Sequence, residues 1–120
     1  MARQAVECFR KQTYADKWLI VFDTSEGCGF FDSLKDEPRC IRAWTHRKGA
    51  SIGALRNEAN AMIATSSASD ASIIMHWDSD DISHPNRMAE QVALLQSSGV
   101  DCVGYRECLF WDCRKYVARV

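Results

Sequence analysis

Three carboxylates, Asp78, Asp80 and Asp81, stand directly after an apolar run at residues 71–77 and just ahead of a helical pattern. The run is too short for an ordinary helix and reads as a buried strand. Successive side chains of a strand point to opposite faces, so Asp78 and Asp80 are expected on one face at the strand's carboxyl end. Two hard oxygen ligands on one face suit Mg²⁺ or Mn²⁺ better than a soft metal. Ser83, Pro85 and the stripe Met88, Val92, Leu95 then predict a capped helix that runs out before Gly99. A calcium loop of the EF-hand type is disfavoured, because Ile82 sits where the third oxygen ligand belongs and Ala89 where the bidentate glutamate should be. Taken alone, D-x-D after a strand is more often an ordinary acidic turn than a metal site.

Four blocks in order resemble the family 2 glycosyltransferases of the GT-A fold. Phe9-Arg-Lys-Gln12-Thr13-Tyr14, followed by Trp18-Leu-Ile-Val-Phe-Asp23-Thr-Ser, looks like "S-hydrophobe-x-x-Q-T-Y … E-L-I-V-V-D-D-G-S". Gly53-Ala-Leu-Arg56-Asn57-Glu-Ala-Asn resembles the "G-x-x-x-A-R-N-x-G/A" helix. Asp78-Ser-Asp80-Asp81-Ile-Ser-His-Pro85-Asn-Arg87-Met is similar to "D-A-D-D-x-x-x-P-x-R-L", and Val103-Gly104-Tyr105-Arg-Glu-Cys-Leu-Phe-Trp looks like the strand after the metal-site helix. A phosphatase of the haloacid-dehalogenase type, with Asp78 as nucleophile and Asp80 as acid, is a weaker alternative, since its motif usually opens a chain.

The resemblance implies a Rossmann-like, three-layer α/β/α nucleotide-diphospho-sugar transferase fold, here incomplete, with residues 1–120 forming a single truncated domain. It implies transfer of a sugar from a nucleotide-diphosphate donor with Mg²⁺ or Mn²⁺, which neutralises charge growing on the leaving diphosphate. Asp80 would be the direct metal ligand. Asp78 would share the metal and hold the sugar-nucleotide, and Asp81 would be a third ligand. Arg56 would grip diphosphate oxygens, with Asn57 beside it and Asp23 on the nucleotide side.

Departures from the pattern carry expectations of their own. Members of the family open with an apolar strand and a "P-T-Y-N"-like turn under the nucleobase, whereas Met1 falls within the following helix, and Thr24 replaces a second acidic residue. The general base of inverting members comes from a later segment, so no catalytic base is assigned. The alternative function is therefore a non-catalytic remnant serving as a binding or oligomerisation module. A missing strand between residues 18–22 and 71–77 would leave a gap of about 9 to 10 Å, to be filled by residues 116–120 or by an edge of a second copy in a homodimer.

Composition narrows the classes further. The 120 residues make one domain, and 15 basic against 16 acidic side chains give no electrostatic case for nucleic acid or an anionic membrane. No apolar stretch approaches a membrane span and no signal core opens the chain, so a cytoplasmic location is expected. Of six cysteines, none has C-x-x-C spacing; only Cys108 and Cys113 are placed for a disulfide. Neither His46, His76 nor His84 suggests a ligand.

Alternating elements must position these residues. Ala2, Ala5, Val6 and Phe9 mark a first helix ending near Gln12. Residues 18–22 read as a strand buried on both faces, 26–38 as a surface loop with one helical turn, and 40–45 as an edge strand before a loop at 46–50. Ile52, Leu55, Ala59, Met62 and Ile63 predict a second helix facing the sheet. Residues 101–105, 108–111 and 116–120 read as closing strands. Trp44, Trp77, Tyr105 and Trp111 are expected chiefly as core rather than as a sugar platform.

Overall fold

A computed structural model describes residues 2–24, 29–45, 49–108, 110–112 and 117–119. Helix α1 (Ala2–Arg10) lays Ala5, Val6 and Phe9 inward and places Arg10 in its last turn, where a cation suits the helix dipole. Strand β1 (Leu19–Asp23), rich in aliphatic residues, runs parallel to β2 (Cys40–Trp44), with Leu19 opposite Cys40 and Asp23 opposite Trp44. The connection includes the single turn α2 (Gly29–Asp32). It closes through Arg39, which takes a positive φ of 51° while its carbonyl accepts from the Leu19 amide and its guanidinium bonds Asp16 at 2.7 Å.

Helix α3 (Ile52–Ile63) starts where Ser51, in extended conformation, accepts a hydrogen bond from the Ala54 amide, a cap worth about 1 kcal/mol. Helix α4 (Arg87–Ser98) ends at Gly99, whose φ of 67° is the left-handed stop that glycine tolerates best. Strands β3 (Phe110–Asp112) and β4 (Val117–Arg119) form a separate antiparallel pair. Among the described residues this is a small α/β protein of three helices, the single helical turn α2, a two-stranded parallel sheet and a short antiparallel strand pair. Its core gathers Val6, Phe9, Leu19 and Leu34, flanked by Val21, Phe30, Trp77 and Met88.

Several expectations need correction. Residues 71–77 form neither helix nor paired strand, although burial alternates from Ile73 to Asp78 as it would in a strand. No ladder partner exists for them among the described residues, so the parallel sheet stops at two strands. Beyond Leu19, β1 is only half-buried, and its edge away from β2 has no paired strand among the described residues. Residues 101–105 are irregular. Residues 117–119 pair with 110–112 rather than with β1, which removes the terminal segment as the filler of the gap. Cys8, Cys40, Cys102 and Cys108 are free thiols; Cys28, Cys113, Tyr116, Val120 and the loop at 46–48 lie outside the described residues.

The radius of gyration is 15.4 Å, against about 14 Å for a well-filled domain of this length and about 35 Å for an unfolded chain. The protein is folded but loosely filled, and among the described residues only seven apolar side chains are buried.

Candidate metal and diphosphate site

The acidic loop begins at a fixed point. Trp77 turns inward: its indole N–H donates to the Ala5 carbonyl at 3.1 Å, and its ring meets Phe9 edge-on with centroids 6.5 Å apart. Strand alternation then sends Asp78 outward. There its carboxylate accepts from Arg56 Nη2 at 2.7 Å, joining α3 to the loop across 22 residues of sequence. The Asp81 amide donates to the Asp78 carbonyl at 3.4 Å, turning the chain over Ser79 and Asp80. All three aspartates are exposed.

The loop's far end is held by the segment just after α1. Gln12 is 4% exposed; its Nε2 donates to the carbonyls of Cys8 at 3.1 Å and His84 at 2.8 Å, and its Oε1 accepts from the Met88 amide at 2.9 Å. That last bond satisfies an otherwise orphaned amide in the first turn of α4. The Thr13 amide donates to the Pro85 carbonyl at 2.9 Å, and its hydroxyl to Asn86 Oδ1 at 3.1 Å. The α4 cap residue is therefore Asn86, with no side-chain bond of its own to the helix. Ser83, expected to help cap the helix, is instead buried, and its hydroxyl accepts from Arg87 Nη1 at 2.9 Å.

Arg87 braces the loop from inside. Its guanidinium lies 4.8 Å from the Trp77 ring centre and donates through Nη2 to the His76 carbonyl at 3.2 Å. Gln12 and Arg87 were both within the motif blocks, yet composition gave them no role. A cation in the first turn of a helix opposes the dipole, and that placement of Arg87 is the signal that it has a specific partner.

Among the described residues, no three His, Cys, Asp or Glu side chains gather closely enough to enclose a metal on their own. Asp78, Asp80 and Asp81 nonetheless offer hard oxygen donors at one exposed turn, which fits a cation held by one or two carboxylates and completed by substrate phosphates. Asp23 closes β1, its carbonyl accepting from the Thr45 amide at 3.0 Å, and Asn57 is exposed next to Arg56 on α3. Neither belongs to the Arg56–Asp78 pair.

No family model, curated protein or solved structure matches the chain.

Two aromatic residues expected in the core are at the surface. Trp44 is 47% and Tyr105 51% exposed, the latter with its hydroxyl donating to Glu90 at 2.9 Å. Partial burial and the Glu90 carboxylate push the Tyr105 phenol above its ordinary range. The Trp111 side chain lies outside the described residues. No helix among them is long and apolar enough to cross a membrane.

Proposed function

We propose that this chain is a GT-A-like domain related to the family 2 glycosyltransferases, and that its acidic loop and Arg56 receive the diphosphate of a nucleotide-sugar together with Mg²⁺ or Mn²⁺. The observation that carries this reading is the 2.7 Å contact between Arg56 and Asp78. It places a guanidinium, suited to paired phosphate oxygens, against the first carboxylate of the D-x-D turn. Two motif blocks recognised separately in sequence meet there, and a third meets them where Gln12 and Thr13 hold residues 84–88.

An exposed ion pair is worth no more than about 1 kcal/mol, so Arg56 exchanges Asp78 for a phosphate at little cost. A bound divalent cation would supply charge neutralisation at the leaving diphosphate. The chain's own residues do the rest: Asp80 and Asp78 offer oxygens, Arg56 orients the diphosphate, and Gln12, Thr13 and Arg87 keep the loop in one shape.

A second reading, binding without turnover, is favoured by the sheet, which has only two parallel strands among the described residues. Calorimetric titration with a uridine or guanosine diphosphate, with and without Mn²⁺, tests the site. Metal-dependent binding that Arg56→Gln and Asp80→Asn each weaken supports the proposal, whereas binding indifferent to both substitutions removes it. Release of free sugar from a nucleotide-sugar by the same protein then separates enzyme from binding module.

A further inference from the structure

Of the three aspartates in the acidic turn, Asp78 is the one already held by a cation. Arg56 reaches it from α3, with 2.7 Å between Nη2 and Oδ1. The helix itself offers Arg56 no alternative: the positions one turn away are Ile52, Gly53, Ala59 and Asn60, none of them acidic, so no carboxylate lies within reach on its own face. Among the described residues no ion pair reaches Asp80 or Asp81. Both partners of the Arg56–Asp78 pair stay hydrated, with 38% and 52% of their side chains exposed, and such a pair contributes little to folding. Its consequence lies in what can bind.

We infer that Arg56 makes the acidic turn a coincidence site: it holds Asp78 back from a divalent cation until the phosphates of a nucleoside diphosphate draw the guanidinium away, so that metal and nucleotide each bind weakly alone and strongly together. This rests on the reading of the turn as a metal and diphosphate site. The physical case is one of sign. A guanidinium beside the carboxylate occupies an oxygen that the metal would use and repels a second cation, whereas the same charge attracts phosphate oxygens. A diphosphate removes both obstacles at once, by taking the guanidinium's hydrogen bonds and by cancelling its charge. The effect is reciprocal, because a nucleotide that raises metal affinity by some factor has its own affinity raised by the same factor. Arg87, the other cation close to the loop, does not share this role, since it is turned onto the Trp77 ring and the His76 carbonyl. A contact that merely steadied Asp78 would have the opposite signature: loss of Arg56 would then weaken the metal.

The probe is Mn²⁺ titrated against the full chain, followed by the spin-resonance signal of the free ion and by paramagnetic broadening at residues 78–81. The titration is run without nucleotide and then with uridine diphosphate, whose own complex with Mn²⁺ is measured separately. Arg56→Gln is expected to bind Mn²⁺ alone about three- to tenfold more tightly than wild type, the influence of one unit charge on a divalent ion at the same hydrated carboxylate. It is also expected to lose most of the enhancement that uridine diphosphate gives wild type. Arg56→Lys keeps the charge and should stay within about twofold of wild type for Mn²⁺ alone. An affinity of Arg56→Gln for Mn²⁺ equal to or below that of wild type, Arg56→Lys as tight as Arg56→Gln, or an enhancement that survives the glutamine substitution would overturn the inference while leaving the acidic turn as the site. Absence of broadening at residues 78–81 in every protein, with and without nucleotide, would remove the site and the inference with it.

Discussion

Replacing Gln12 with alanine removes three hydrogen bonds and empties a side chain that is 4% exposed. The His84 carbonyl loses its 2.8 Å donor and the Met88 amide its 2.9 Å acceptor, while the Cys8 carbonyl loses a 3.1 Å contact near the end of α1. Each net bond is worth about 0.5 to 1.5 kcal/mol, and a buried group left unsatisfied costs more. The expected loss is therefore about 2 to 4 kcal/mol of folding stability. For a domain of this size that is roughly 4 °C in melting temperature per kcal/mol. Urea unfolding of wild type and Q12A measures it directly. Gln12→Glu discriminates further, because a carboxylate can still accept from the Met88 amide but cannot donate to the two carbonyls when ionised, and should recover less than half the loss. A Q12A variant within about 0.5 kcal/mol of wild type would refute the idea that Gln12 joins α1 to the acidic loop.

Two further outcomes follow from ionisable side chains elsewhere. Arg10 holds the Glu37 carboxyl below the ordinary carboxylate range, first by direct hydrogen bonding and then by charge attraction; its contribution to stability is complete above about pH 4.5 and is lost as pH falls through the lowered folded value. Glu37→Gln should therefore flatten the acid limb of the stability curve below that pH, and an unchanged limb would count against the pair. Burial pushes the Cys40 thiol up, while Cys102 and Cys108 are exposed; mass-resolved alkylation at neutral pH should label the latter two well before Cys40, and early labelling of Cys40 would contradict its half-buried placement at the start of β2.

Local signals in the sequence located most of the elements. Ser51 and the stripe from Ile52 to Ile63 specify α3 through a cap and a 3.6-residue period, both contained within the segment itself. Gly99 marks the end of α4 for the same reason. Residues 71–77 show where such reading stops: their alternation is real, yet whether an extended segment joins a sheet depends on a neighbour far away in the chain. Residues 101–105 carry apolar content without a strand partner among the described residues, and are irregular. At the site, the acidic triplet and Arg56 were legible because their chemistry is distinctive. The support beneath them was not, since Gln12 reaches residues 84 and 88 and Arg87 reaches the Trp77 ring only once α1 and α4 pack together.

The most direct measurement of the central claim is localisation of Mn²⁺ by its paramagnetic broadening of amide resonances, in the presence of a nucleoside diphosphate. The account expects broadening centred on Asp78, Asp80 and Asp81 and reaching Arg56, abolished by Asp80→Asn with the rest of the spectrum intact. Broadening centred elsewhere, or persisting undiminished in that variant, would contradict the assignment of the acidic turn as the metal and diphosphate site.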